Sequence, residues 1–161
     1  MANYGVIDLG SNSVRLVIFD VKDGISKKRP ITCKDFRSII NDKVMAGLSA
    51  YVDAGEFTPE GIARAVDVLS GHLKRARYFN CVRTDIFATA VLRNCTNSRE
   101  AISAIEKAIG APVNLLSARD EAHLSFTGAS CDRTIEKGTV VDLGGGSTEL
   151  IRVEGRCDFD D

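Results

Sequence analysis

The chain has 161 residues, of which 44% are hydrophobic and 27% are charged, and its formal net charge is −1. This length fits one domain, and the balanced charge argues against a basic nucleic-acid-binding protein and against a disordered acidic tail. No apolar run approaches the roughly 20 residues that span a bilayer, and the N-terminus lacks the basic start and apolar stretch of a signal peptide, so we expect neither nucleic acid nor a membrane as a partner.

Two apolar strands are predicted at the start of the chain, over residues 4–9 and 13–21. Apolar residues fill most of both faces of the second run, so we expect it in the interior of a sheet. A hairpin turn at Lys22-Asp23-Gly24 is predicted to lead into a third strand near residues 25–33. The stretch 34–57 fits no single period and gives no prediction.

A clear helix is predicted from Thr58-Pro59, because Thr is a good N-cap and Pro suits the first helical position. Its apolar stripe recurs at helical spacing as far as Ala76. His72 lies on the polar side of this stripe. Neither His72 nor His123 has a partner pattern that suggests a role.

Strands and helices alternate after this helix, which predicts an α/β layer structure with a mixed sheet. Ser98 is expected to cap one helix and Gly110 to end it, and Ser117 to Asp120 resembles a capping box with Asp in place of the usual Glu or Gln. The remaining predicted elements are a strand over 81–89, a short buried strand over 113–116, a helix that ends near Ala129, and a strand, glycine turn and strand over 138–153.

Five cysteines occur, an odd number with no C-x-x-C pair. They indicate reduced thiols, as in a cytoplasmic protein, and they do not suggest a structural zinc site.

The chain contains two similar segments that lie far apart in sequence. Asp8-Leu9-Gly10 and Asp142-Leu143-Gly144 each follow an apolar strand, and each precedes small and hydroxyl residues and then another strand. Repeats with this separation suggest two related halves. Two ordinary glycine-rich hairpin turns are the alternative, which the second copy makes less attractive.

Such turns are suited to binding phosphate. Glycines let the backbone approach an anion, successive N–H groups can form an anion-binding nest, and hydroxyls add donors. The phosphate-binding residues predicted in this way are Gly10, Ser11, Asn12, Ser13, Gly144, Gly145, Gly146, Ser147 and Thr148. Asp8 and Asp142 are placed to hold a hard cation beside the phosphate.

The two loops resemble phosphate loops one and two of the actin-like ATPase superfamily, which includes sugar kinases and heat-shock chaperone ATPases. Four segments narrow the resemblance to the exopolyphosphatase and guanosine pentaphosphate phosphatase family, and it covers nearly the whole chain. These segments are Ile7 to Leu16, Ala88 to Arg93, Ser117 to Ala122 and Val141 to Leu150.

The resemblance implies a ribonuclease H-like, actin-like ATPase fold with a mixed five-stranded sheet flanked by helices. Residues 1–137 would form the first domain, and residues 138–161 the opening β-hairpin of a second, similar domain. Family members have a second domain that closes the cleft, so we expect weak activity or none from this chain alone. The hairpin is expected to pack on the first domain or on another molecule, which leaves a homodimer open.

The resemblance also implies a reaction, namely hydrolysis of a terminal phosphoanhydride of polyphosphate or guanosine pentaphosphate with Mg²⁺. Glu121 would be the catalytic carboxylate that activates water, and Arg93 would grip phosphate. Glu149 would be the second catalytic carboxylate, and it could also position the magnesium shell together with Asp8 and Asp142. These roles agree with the needs of phosphoryl transfer to water.

Two features depart from the family pattern: Asp120-Glu121 replaces two adjacent glutamates, and residues 36–48 lack the usual Arg-Leu-Gly-Glu-Gly motif. Two other functions stay open. One is a kinase of the same superfamily, although no Lys follows soon after the first loop. The other is a non-catalytic sensor that binds polyphosphate or guanosine pentaphosphate without turnover.

Overall fold

The computed structural model describes residues 1–22 and 32–155. Its elements, in chain order, are β1 (Ala2–Leu9), β2 (Ser13–Val21), β3 (Phe36–Met45), a 3₁₀ turn (Leu48–Tyr51), β4 (Val52–Asp53), β5 (Glu56–Phe57), α1 (Pro59–Tyr78), β6 (Cys81–Ala88), α2 (Ala90–Arg93), α3 (Ser98–Ile109), β7 (Asn114–Leu115), α4 (Ala118–Ala129), β8 (Lys137–Leu143) and β9 (Thr148–Glu154).

A five-stranded mixed sheet has the strand order β3-β2-β1-β6-β7. The strands β3, β2 and β1 are antiparallel to their neighbours in this meander, whereas β1, β6 and β7 run parallel to one another. Strands β8 and β9 form a separate antiparallel hairpin. The α/β class, the mixed five-stranded sheet and the extra hairpin are therefore confirmed.

The first two strands follow the predicted pattern. Strand β2 pairs on both sides, and Val14, Leu16 and Ile18 are fully buried on one of its faces. Together with Ile7 and Leu9 of β1 they form the sheet side of the core. This alternation places the intervening residues of β2, which include Arg15, on the opposite face of the sheet.

Helix α1 begins where the sequence predicts, because the Thr58 hydroxyl accepts a hydrogen bond from the Gly61 N–H at 3.2 Å. The placement of His72 on a polar face was wrong: it is only 2% exposed. Its Nε2 lies 3.3 Å from the Val14 carbonyl oxygen, and its Nδ1 lies 3.5 Å from a carboxylate oxygen of Asp42 on β3. Polar partners from the sheet therefore allow a histidine to be buried there.

Gly71 in the exposed middle of α1 offers a stabilising substitution. A Cβ at this position would meet nothing within 4 Å, and glycine inside a helix costs about 0.5–1 kcal/mol relative to alanine. Gly71→Ala is therefore expected to raise the melting temperature by about 2–4 °C per kcal/mol gained. Gly61→Ala is the matched control in the same helix and should destabilise, since its Cβ would lie 2.7 Å from the Tyr51 Cβ. A melting temperature of Gly71→Ala at or below that of the wild type would contradict this account.

Strand β3 lies in the stretch 34–57, for which no element is predicted from the sequence. Its register shifts so that Ile18 pairs with Ile40 and Phe19 pairs with Ser38, which leaves Ile39 as the extra residue of a bulge. A bulge interrupts the period of two that identifies a strand. The turn and strand predicted over residues 22–33 lie mostly outside the described residues.

Helix α3 begins one residue earlier than predicted, at the residue that was expected to be its cap. Ser98 is the first helical residue, and its hydroxyl oxygen is buried without a hydrogen-bond partner among the described residues. Asn97 precedes the helix, but its side chain is bound elsewhere: its Oδ1 accepts from the Phe57 N–H, and its Nδ2 donates to the Phe57 carbonyl. The prediction that Gly110 ends this helix is confirmed by its left-handed φ of 68°.

Helix α4 has the predicted capping box, in which Ser117 and Asp120 bind each other's backbone N–H groups. The hairpin packs on this helix within the same chain: the Ser125 hydroxyl donates a hydrogen bond to Asp142, and Phe126 and Val153 are buried. Among the helices in the described part of the chain, none is both long enough and apolar enough to cross a membrane.

Candidate functional site

The two glycine loops share one backbone turn. In the first loop the Gly10 N–H donates to the Ser13 carbonyl at 3.1 Å, and in the second the Gly144 N–H donates to the Ser147 carbonyl at 2.9 Å. Each turn closes an antiparallel pair of strands. The repeat seen in the sequence is therefore also a repeat of structure.

The two loops lie against each other. An ideal Cβ on Gly145 would lie 2.8 Å from the Asn12 Cβ, and one on Gly146 would lie 2.2 Å from the Ser11 Oγ. The 3₁₀ turn also holds loop one in place, because the Ser49 N–H donates a hydrogen bond to the Ser11 carbonyl at 2.8 Å. Glycine is thus required in loop two for close approach to loop one.

A cavity of about 380 Å³ lies between the loops. It brings together most of the residues singled out from the sequence and several that were not. The lining residues are Asp8, Gly10, Ser11, Asn12, Ser13, Arg15, Lys43, Thr89, Glu121, Asp142, Leu143, Gly144, Gly145, Gly146, Ser147 and Glu149. Arg93 and Thr148 are the two predicted site residues that do not line it.

Arg93 instead lies beside Glu121. Its Nη1 is 2.7 Å from a Glu121 carboxylate oxygen and donates to the Leu116 carbonyl at 3.0 Å. Both side chains of the ion pair are less than one-fifth exposed. Arg93 therefore fixes the carboxylate that faces the cavity.

Two other acids come from the hairpin. Asp142 and Glu149 are directly opposite each other on β8 and β9, so their side chains are on one face. Glu149 is only 8% exposed. The Ser125 hydroxyl holds one oxygen of Asp142, which orients this carboxylate towards the cavity that it lines.

Asp8 lies among like charges. Burial by the cavity walls raises the pKa of the Asp8 carboxyl, and the charges of Glu121 and Asp142 raise it further, while Arg15 lowers it. The Asp8 side chain is accessible to solvent through the cavity. Its desolvation therefore comes from the protein atoms of the cavity walls around it. Repulsion among these acids would be relieved by a cation or by a proton.

Asp8→Asn is expected to raise the melting temperature by a few degrees near neutral pH, because it removes a charge that the fold disfavours. A carboxyl with a raised pKa in the folded state contributes stability that is present at acidic pH and is lost as the pH rises through that pKa. The difference from the wild type should therefore grow from acidic towards neutral pH in metal-free thermal melts. Asp67→Asn, at an exposed helical position, is the control. A lower melting temperature for Asp8→Asn at neutral pH would contradict this explanation.

The sequence analysis missed four lining residues: Arg15, Lys43, Thr89 and Leu143. The repeat itself could have revealed Arg15. It is opposite Asp8 across the first turn, as Glu149 is opposite Asp142 across the second. Lys43 follows only from the pairing of β3, which the sequence did not predict.

A magnesium ion fits the carboxylate donors of this cavity if water and phosphate oxygens complete its coordination shell. No group of three or more metal-binding side chains converges in the described parts of the chain. Mg²⁺ usually takes only one or two carboxylates and completes its shell with water and substrate phosphates. The carboxylates of this cavity therefore suit an ion that arrives with a phosphate substrate better than a resident structural metal.

Comparison with known proteins shows the family to which the chain belongs. A sequence model described as the Ppx/GppA phosphatase family matches residues 17–157. The chain belongs to the Ppx/GppA phosphatase family. Its fold is the actin-like ATPase fold of this family, so the resemblance drawn from the motifs is confirmed.

Similar members of the Ppx/GppA family are known at about 30% identity. Exopolyphosphatase 2 of Mycobacterium tuberculosis is 30% identical over 159 residues, covering 94% of this chain and 48% of the relative. Guanosine-5′-triphosphate,3′-diphosphate pyrophosphatase of Vibrio cholerae is 31% identical over 153 residues, covering 94% and 29%. The crystal structure of an exopolyphosphatase from Cytophaga hutchinsonii superposes with a TM-score of 0.80 at 26% identity, covering 94% and 46%. The chain thus spans about half or less of the length of these proteins.

Proposed function

We propose that this protein hydrolyses the terminal phosphoanhydride bond of a phosphate chain, with polyphosphate and guanosine pentaphosphate as the candidate substrates. The observation that carries the proposal is one cavity in which two glycine loops, the carboxylate of Glu121 and the cation of Arg15 meet. The names of the relatives, an exopolyphosphatase and a guanosine-5′-triphosphate,3′-diphosphate pyrophosphatase, agree with this chemistry.

The loops would bind the terminal phosphate through their backbone N–H groups and the hydroxyls of Ser11, Ser13 and Ser147. Arg15 adds a permanent positive charge for the non-bridging oxygens. Phosphoryl transfer to water needs mainly this alignment and charge.

Glu121 would act as the general base. It accepts a proton from a water molecule whose oxygen attacks the terminal phosphorus, while the bridging P–O bond breaks and the shortened chain leaves. The ion pair with Arg93 holds the carboxylate in place. The phosphate-gripping role expected for Arg93 requires this ion pair to open when substrate binds.

Asp8 and Asp142, with Glu149 beside them, would hold Mg²⁺. When bound, the ion would neutralise charge on the phosphate oxygens. The carboxylates themselves repel a phosphate chain, so the proposal requires that substrate and cation bind together.

The proposal is tested by orthophosphate release from polyphosphate, guanosine pentaphosphate and the monoester p-nitrophenyl phosphate, each with Mg²⁺ or EDTA. Both the 161-residue chain and the full reading frame that encodes it should be assayed. The full reading frame with Mg²⁺ is expected to release orthophosphate from the two phosphoanhydrides and little from the monoester, whereas the 161-residue chain alone is expected to show weak activity or none. Equal hydrolysis of the monoester, or no release from either phosphoanhydride, would contradict the proposal.

A phosphate sensor is the second candidate, and the closed ion pair between Arg93 and Glu121 favours it. If the pair stays closed and keeps Glu121 away from the attacking water, the cavity binds phosphate without cleaving it. Saturable binding of polyphosphate with no release of orthophosphate by the full reading frame would identify this function.

A further inference from the structure

Lys43 lies in a row of charged residues across the sheet. Asp8, Arg15 and Lys43 are directly opposite one another on β1, β2 and β3, so all three side chains are on one face. All three line the cavity. Strand β3 is the edge strand of the described sheet, so Lys43 marks the outer end of the row.

The cavity is therefore polarised. Its lining includes four carboxylates, and Arg15 and Lys43 are its two cations, next to each other on β2 and β3. Within the described residues, neither of these cations forms an ion pair within 4 Å, unlike Arg75 and Arg93, which each contact a carboxylate. Two neighbouring cations that form no ion pair within 4 Å among the described residues suit an anionic ligand.

The spacing of the row indicates the size of that ligand. Adjacent strands are about 4.8 Å apart, so Lys43 on β3 is about 10 Å from Asp8 on β1. A phosphate bound beside Asp8 is thus two strand spacings from the backbone of Lys43, and a short chain of phosphates spans this distance. Lysine is a mobile point charge, which suits a flexible polyanion better than a fixed bidentate ligand.

We propose that Lys43 binds a phosphate beyond the terminal one and thereby makes the site prefer phosphate chains over single phosphates. The inference rests on the proposed function, because it takes the loops as the site of the terminal phosphate. It assigns to β3 a part in selecting the substrate, independently of cleavage.

The test is calorimetric titration of the 161-residue chain with orthophosphate, pyrophosphate and tripolyphosphate in the presence of Mg²⁺. Lys43→Gln removes the charge at similar size, Lys43→Arg keeps it, and Lys107→Gln removes an exposed lysine of α3 as a control. Lys43→Gln is expected to weaken tripolyphosphate binding about tenfold, as for the loss of one charge-assisted hydrogen bond, and orthophosphate binding less than twofold. Lys43→Arg and Lys107→Gln should bind tripolyphosphate like the wild type.

The other outcomes separate the two proposals. If the wild type binds tripolyphosphate and Lys43→Gln binds it equally well, or loses orthophosphate to the same degree, the role of Lys43 is overturned and the proposed function stands. A loss in Lys43→Arg as large as in Lys43→Gln also overturns it, because the charge is then not the cause. If neither the 161-residue chain nor the full reading frame binds any of the three phosphates, both proposals fail.

Discussion

Glu121→Gln is expected to lower the rate of orthophosphate release from polyphosphate about 10²–10⁴-fold, the range attributed to a general base. The amide keeps the size of the side chain and its contact with Arg93 but cannot accept the proton of the attacking water. Substrate binding should change little, because the loops and Arg15 are untouched. Initial rates and equilibrium binding of tripolyphosphate, measured on the same preparation, separate the two effects.

Glu100→Gln is the matched control for this experiment. Glu100 is in the first turn of α3, as Glu121 is near the start of α4, so both acids interact favourably with a helix N-terminus. Only Glu121 faces the cavity. If Glu121→Gln and Glu100→Gln release orthophosphate at similar rates, Glu121 only stabilises the N-terminus of α4, and another carboxylate is the general base.

Gly146→Ala is expected to reduce orthophosphate release about 10²-fold, the loss typical of a misplacement of about 1 Å at an active site. The new Cβ would lie 2.2 Å from the Ser11 Oγ and 2.8 Å from the Ser11 Cβ. Rotation of the hydroxyl relieves only the first contact. Because Ser11 is buried and bonded to Ser49, the hairpin has to move away from loop one.

Gly128→Ala separates this effect from a general change in the hairpin region. Gly128 is in α4, and a Cβ there would meet nothing within 4 Å. This variant should keep wild-type turnover and gain stability, as expected for alanine in a helix. If Gly146→Ala keeps wild-type turnover and tripolyphosphate affinity, the contact between the loops is not required for the site.

Local signals made much of the fold predictable. The Thr58 cap, the capping box of Ser117 and Asp120, and the glycine that ends α3 each act within one turn of the chain. Strands β1 and β2 were predictable because their apolar residues are buried against the core and leave a clear pattern.

The errors occur where distant parts of the chain decide the structure. The bulge at Ile39 interrupts the pattern of an edge strand, so β3 was not identified. His72 is buried because its ring contacts the Val14 carbonyl on β2 and the Asp42 carboxylate on β3. Asn97 could not be assigned from sequence because its side chain binds the backbone of Phe57, 40 positions away.

In the candidate site, too, local sequence features were predictable and contacts between distant parts of the chain were not. The loops were predictable, because each carries its glycines, hydroxyls and aspartate in one short segment. The contact of Gly146 with Ser11, the pairing of Arg93 with Glu121 and the position of Lys43 all depend on how separate elements pack. These are the features that distinguish one joint candidate site from two unrelated glycine turns.

We propose that both loops bind one phosphate at a shared magnesium site. A crystal structure of the Glu121→Gln protein with Mg²⁺ and tripolyphosphate is the decisive measurement, because this substitution is expected to prevent turnover. The terminal phosphate is expected between Gly10–Ser13 and Gly144–Ser147, an ion next to Asp8 and Asp142, and the chain extending towards Lys43. A tripolyphosphate bound elsewhere on the surface, with the space between the loops occupied by water alone, would contradict this proposal.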